Sequence, residues 1–119
     1  MLDHIGLRTT RVKEMIAFYE AILAPLGYSK QMDFGTAAGF GRDGELPLWI
    51  GEGDAASAVH LALAAASHAE VDAFYKAALE QGATDNGPPG LRPHYHADYY
   101  GAFVLDPDGN NLEAVYHGG

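Results

Sequence analysis

Met15, Phe18, Tyr19, Ile22 and Leu23 fall at i, i+3, i+4, i+7 and i+8, the spacing of one helix face, and Val71, Phe74, Tyr75, Ala78 and Leu79 repeat that spacing. The pattern predicts two amphipathic helices whose apolar stripes cover a core. Ser67 followed by Glu70 reads as a capping box opening the second helix, while Gly27 and Gly82 stand where a left-handed residue ends each one. Shorter alternating or apolar runs predict strands at 28–34, 36–42 and 46–51 after the first helix, and at 91–95, 99–105 and 111–117 after the second. Asp43-Gly44 and Asp106-Pro107-Asp108-Gly109-Asn110 are predicted hairpin turns, with Gly supplying positive φ. Asn86-Gly87-Pro88-Pro89-Gly90 is predicted to be a loop, because consecutive prolines cannot join a central ladder.

The two helices belong to an internal repeat. Ala17-Phe18-Tyr19-Glu20-Ala21-Ile22-Leu23 recurs as Ala73-Phe74-Tyr75-Lys76-Ala77-Ala78-Leu79, with five of seven positions identical at an offset of 56 residues. The same offset carries His4-Ile5-Gly6-Leu7 onto His60-Leu61-Ala62-Leu63. The chain therefore reads as one α+β domain of two tandem βαβββ modules, 1–54 and 55–119, neither large enough to fold alone.

Composition narrows the partners. The 16 acidic residues outweigh 7 Lys and Arg for a net charge of −9, which argues against a nucleic-acid surface and against electrostatic binding to anionic lipid. No run approaches the ~20 apolar residues that span a bilayer, and Met1-Leu2-Asp3-His4 lacks the basic and apolar regions of a signal peptide, so a cytoplasmic location without membrane contact is expected. Zero cysteines exclude disulfides, Cys-ligated zinc and a thiol nucleophile, leaving His, Asp and Glu as metal ligands.

Strand alternation decides which side chains can meet. Ile5 and Leu7 must face the helices, which turns His4, Gly6 and Arg8 to the other side; Leu61 and Leu63 do the same for His60, Ala62 and Ala64. In the last strand Leu112, Ala114 and Tyr116 alternate with Asn111, Glu113, Val115 and His117, and the pattern leaves open which set faces inward. If Glu113 shares the outward face, His4, His60 and Glu113 form two imidazoles and a carboxylate suited to Fe, Mn, Zn or Ni with open positions for substrate. The other reading makes the histidines hydrogen-bonded strand starts and Glu113 a solvated residue. The repeat favours the first reading, because it places the two histidines by symmetry.

Further candidates lie in Arg92-Pro93-His94-Tyr95-His96-Ala97-Asp98-Tyr99-Tyr100. His94 and His96 would project to one side of an extended segment and clasp a ligand, or else form an exposed loop pair. Arg92, beside the Pro-Gly loop, is placed to meet a substrate carboxylate or phosphate, or a surface acid. Trp49, Tyr99 and Tyr100 are candidate pocket walls or core aromatics.

The paired modules, the His near each first strand, the Ala-Phe-Tyr helix and the closing Asp106-Pro107-Asp108-Gly109-Asn110-Asn111-Leu112-Glu113 resemble the vicinal oxygen chelate superfamily over essentially the whole chain. That superfamily includes glyoxalase I, bleomycin-resistance proteins, extradiol dioxygenases and fosfomycin-resistance transferases. The resemblance implies curved mixed sheets around a cleft, a homodimer, and a divalent metal held by His4, His60 and Glu113. Glyoxalase I carries a fourth ligand, a Glu, where this chain has Leu48-Trp49-Ile50, so the resemblance is to the three-ligand members. Fosfomycin-resistance transferases continue past the final Glu with basic residues, and 114–119 contain none. The expected function is a small metal-dependent glyoxalase/dioxygenase-like enzyme acting on a small oxygen-bearing substrate, with Trp49, Arg92, His96, Tyr99 and Tyr100 as substrate contacts. Its rival is a metal-free, bleomycin-resistance-like binding protein.

Overall fold

The computed structural model describes residues 1–118; Gly119, the last residue of the predicted second module, lies outside them. The first sheet takes strands β1 (Ile5–Thr9), β2 (Ser29–Asp33), β3 (Ala37–Arg42) and β4 (Glu45–Glu52) in the order β1-β4-β3-β2. The second takes β5 (His60–Ala64), β6 (Thr84–Asp85), β8 (Tyr100–Leu105) and β9 (Asn111–Tyr116) in the order β5-β9-β8-β6, with β7 (Gly90–Leu91) also pairing β8. Each sheet is mixed, since β1 runs parallel to β4 and β5 parallel to β9 while the other pairs are antiparallel. The sheets are curved and not closed, the α+β architecture of the glyoxalase fold. β1 and β5 each end their sheet and do not pair with one another.

Helices α1 (Val12–Leu23) and α2 (His68–Glu80) pack against each other, α1 on β3 and β4 and α2 on β8 and β9. Met15, Phe18, Tyr19, Ile22 and Leu23 are buried in α1, and Val71, Phe74 and Ala78 in α2, as the periodicity predicts; Leu79 stays exposed. One apolar core runs through both halves. Ser67 caps α2 by accepting from the Glu70 amide, but the Glu70 carboxylate reaches back to the Ala66 amide rather than to that of Ser67. A single 3₁₀ turn, Ala24–Leu26, follows α1 before Gly27 reverses the chain at φ 87°. At the β3–β4 hairpin Asp43 and Gly44 take φ 55° and 82°, the paired positive values of a tight two-residue turn.

The predicted strand 91–95 does not form. Only the two-residue pairs Thr84–Asp85 and Gly90–Leu91 reach β8, and from Arg92 the chain coils into successive turns closed by Tyr95 N to Arg92 O and Tyr99 N to His96 O. Pro93 lacks the amide a ladder needs and breaks the run.

The halves are locked together at the β8–β9 turn. Tyr19 Oη of α1, fully buried, donates to Asp106 Oδ2 at 2.5 Å. The same carboxylate accepts from Asn110 Nδ2 at 2.8 Å and from the Asp108 and Asn110 amides at 2.9 Å each. Burial, and then the Asp106 charge, push the Tyr19 phenol far above its ordinary value. A raised tyrosine value contributes stability that is complete below the unfolded value of about 10 and is lost as pH rises above it. Tyr19→Phe should therefore destabilise the protein by about 1.5–3 kcal/mol in neutral denaturant titrations, the worth of a hydrogen bond to a charged group. The gap from wild type should narrow above pH ~10; equal stability at pH 7 would refute the account.

Candidate metal and substrate site

The residues of the second sheet build one half of the site. The Val59 amide donates to Asn110 Oδ1 at 2.9 Å and the Asn111 amide to Val59 O at 3.0 Å, so β5 starts against β9 with His60 opposite Asn111 and Ala62 opposite Glu113. Leu112 and Ala114 are fully buried in the core, which turns Glu113 to the outward face with His60. There His60 Nε2 lies 2.7 Å from Glu113 Oε1, and Tyr99 Oη donates to Glu113 Oε2.

Glu113 is 1% exposed although it points away from the core. Its cover comes from the His60 and Tyr99 side chains bonded to it and from Phe103, its partner across the ladder, whose ring centroid is 6.2 Å from that of His60. Gly101 makes room for this clasp, because a Cβ there would sit 3.2 Å from Tyr99 Cε1 and 3.5 Å from Glu113 Oε2. Burial first, and the bond to Glu113 second, push the Tyr99 phenol well above its usual value.

The first sheet supplies a separate half. His4 precedes β1, is exposed, and has Nδ1 2.7 Å from Asp3 Oδ1. Across the sheet Trp49 is flanked by Gly6 and Gly39, and a Cβ on Gly39 would come within 2.9 Å of the indole, so the ring lies flat on that glycine. Phe34 stacks parallel to Trp49 at 6.3 Å. His4 and Trp49 line one open pocket of about 550 Å³. Within one chain the expected ligand set is thus divided. His60 and Glu113 meet, His4 stands on the other sheet with Trp49, and no three potential ligands gather among the described residues.

The 92–100 segment also divides its candidates. Tyr99 and Tyr100 are adjacent and take opposite faces. Tyr100 Oη donates to Asp72 Oδ1 of α2 at 2.6 Å and its ring stacks on His68, on the helix side of the sheet and away from Glu113. His94 and His96 do not share a side, since the segment is not extended: His94 packs on Tyr95, whereas His96 Nε2 lies 2.9 Å from His117 Nδ1. Arg92 donates to the Pro88 and Gly90 carbonyls at 2.7 and 2.9 Å and lies over Phe103, meeting neither a surface acid nor open solvent alone. His117, read only as an end residue of the last strand on the Glu113 face, lies just beyond β9 and joins the site through His96, and the Tyr99 clasp on Glu113 was not anticipated. The nearest signal was the unresolved choice of face in the last strand, which Glu113 settles.

A buried carboxylate beside an imidazole is a donor pair that fits a borderline divalent cation such as Fe, Mn, Zn or Ni, and it needs at least one further donor. Residues 1–114 match the model of the Glyoxalase/Bleomycin resistance protein/Dioxygenase superfamily, and the chain belongs to that superfamily. It is similar to a glyoxalase/bleomycin resistance protein from Albidiferax ferrireducens T118, at 27% identity and a TM-score of 0.83 over 95% of this chain and 96% of that one. A glyoxalase/bleomycin resistance protein/dioxygenase family enzyme from Burkholderia phytofirmans PsJN shares the fold at 18% identity and TM-score 0.75, over 98% of both chains. So does the fosfomycin resistance protein FosX from Listeria monocytogenes, at 21% identity and TM-score 0.72, over 98% of this chain and 92% of that one. No curated protein sequence matches. No helix among the described residues is long and apolar enough to cross a membrane.

Trp49 is the only tryptophan, so its seat can be read directly. Gly39→Ala should lift the indole off the sheet and shift its fluorescence emission, whereas Gly51→Ala, whose Cβ would meet only the Ala37 methyl at 4.0 Å, should leave the spectrum as in wild type. Identical spectra for all three proteins would show that Trp49 is not seated on Gly39.

Proposed function

We propose that this chain is a metal-dependent enzyme of the glyoxalase/dioxygenase type, acting as a homodimer on a small oxygen-bearing substrate. The observation that carries the reading is the Glu113 carboxylate, buried on an outward sheet face and held 2.7 Å from the His60 imidazole. A carboxylate placed there for stability alone would be costly, since a well-packed apolar residue covers a sheet face at less expense.

His60 and Glu113 are two of the ligands, and His4 of a second copy is the third. Two features support a second copy. β1 and β5 each end their sheet beside one of the histidines, and although Ser57 meets the outer edge of β1 at Arg8, the rest of these two edges is open to another strand. They also line one apolar cleft of about 240 Å³ together with Leu2 and Pro47. Lewis-acid polarisation of a substrate oxygen is the chemistry that a cation in this set supplies. The chain's own residues do the rest. Trp49 and Phe34 wall the pocket beside His4, and Arg92, resting on Phe103 near His60, gives a locally positive surface in a chain of net charge −9. That local cation draws an anionic substrate against the overall field.

The alternative reading, a metal-free binding protein, is favoured by the lack of a three-ligand cluster within the described residues and by the stack of the half-buried Trp49 on the exposed Phe34. One experiment separates the two. His4→Ala and His60→Ala are each expected to weaken Co(II) or Mn(II) binding by more than the ~10–100-fold cost of losing an outer-sphere partner. When the two variants are mixed and allowed to exchange subunits, about a quarter of the wild-type sites should return, because half of the dimers are mixed and each holds one intact set. Equal metal binding by wild type and both variants would favour the binding protein. Tight binding lost in both variants and not restored by mixing would place all three ligands on one chain.

A further inference from the structure

We infer that Tyr99 is a positioning residue for Glu113: its hydroxyl holds Oε2, so that the carboxylate presents Oε1 alone, beside His60, to a divalent cation. The inference rests on the metal-dependent reading above and adds a residue to it. The two oxygens of Glu113 have different surroundings, Oε1 against His60 Nε2 at 2.7 Å and Oε2 against the Tyr99 hydroxyl. A hydrogen bond from a phenol to Oε2 restrains the last torsion of the carboxylate and occupies one of the lone pairs of that oxygen, which favours coordination through Oε1 alone.

Tyr99 is itself held from several sides. Its ring meets Tyr95 at 4.8 Å, and His96 and His117 edge-on at 5.4 and 5.3 Å. His96 and His117 are bonded to each other, and His96 Nδ1 accepts from the Asp98 amide at 3.2 Å. The backbone carbonyl of Tyr99 accepts from the Arg92 amide at 2.7 Å, closing the base of the 92–99 turns. Beneath the ring, Gly101 leaves the space that any side chain would take from it. This segment thus has a function that its sequence does not advertise. It is an arm that delivers one phenol to one carboxylate oxygen, and its His96, together with His117 from beyond β9, braces that phenol.

Tyr99→Phe keeps the ring and its packing and removes only the hydroxyl. Co(II) is the probe, read by equilibrium titration and by visible absorption per bound ion, which reports coordination geometry. Tyr99→Phe is expected to bind Co(II) about 10- to 100-fold more weakly than wild type, the usual cost of losing an outer-sphere partner. Its absorption band should also change as the freed Oε2 reaches the metal. Gly101→Ala, whose methyl group would displace the ring while keeping the hydroxyl, should shift affinity in the same direction. His94→Ala, which alters the same segment without touching Tyr99 or Glu113, should match wild type. Unchanged affinity and absorption in Tyr99→Phe would overturn the inference and leave the metal reading standing. An equal loss in His94→Ala would overturn it too, by making segment order the cause. Failure of wild type to bind Co(II) would sink the metal reading itself, and this inference with it.

Discussion

The buried carboxylate of Asp106 is the interaction on which the rest of the structure depends. It accepts from a phenol, a side-chain amide and two backbone amides, four donors supplied by α1 and by the turn that carries it. A charge taken out of water needs that many partners to be tolerable. The consequence spreads in two directions. Through Tyr19 the β8–β9 turn is fastened to the helix of the first half, so the two sheets share one core. Through Asn110, whose Oδ1 takes the Val59 amide, the same turn sets where β5 begins, one residue before His60. The 2.7 Å approach of His60 to Glu113 therefore descends from a turn whose own acid never touches the site.

Much of this was legible in the residues. The repeat placed both helices and both histidine-bearing strands, because a duplicated module keeps its apolar face and its strand register together. The Asp43-Gly44 and Asp106 to Asn110 turns were readable because only a few residue types adopt their backbone. The face of β9 was not readable, and the burial explains why. All of Leu112, Glu113, Ala114 and Val115 are buried, so the inside-outside contrast that alternation relies on is absent there. Glu113 is hidden by side chains on the outward face and Leu112 by the core, and a pattern of hydrophobicity cannot tell these two kinds of burial apart.

The segment 92–100 was the least legible. Its chemistry-bearing residues suggested a strand presenting ligands, but Pro93 ended the ladder and the donors were spent locally: Arg92 on the carbonyls of Pro88 and Gly90, His96 on His117. Such use of side chains by neighbouring backbone is typical of turns and is invisible to spacing arguments. Tyr99 and Tyr100 were both candidates for a pocket wall or for the core, yet adjacent residues at a strand start must take opposite faces, and Tyr100 goes to Asp72 and His68. The symmetry of the repeat misled in a similar way. It correctly implies equivalent positions for His4 and His60, but equivalence is not proximity, and two strands that end different sheets leave their histidines apart within one chain.

That separation sets the two halves in different physical states. On the second sheet the site is already assembled: a buried carboxylate has both oxygens engaged, its neighbours are packed, and a glycine clears the space its clasp requires. On the first sheet His4 is exposed and bonded only to its neighbour Asp3, Gly6 opens onto empty space, and the Trp49–Phe34 stack rests on Gly39. Preorganisation is useful where charge must be held without rearrangement, because a group that has paid its ordering cost on folding does not pay again on binding. An open half is useful where different shapes must be admitted. On the proposed reading the charged centre belongs to the second sheet and substrate contacts to the first, so that Trp49 and its glycine floor lie apart from the register that Asp106 imposes on His60 and Glu113.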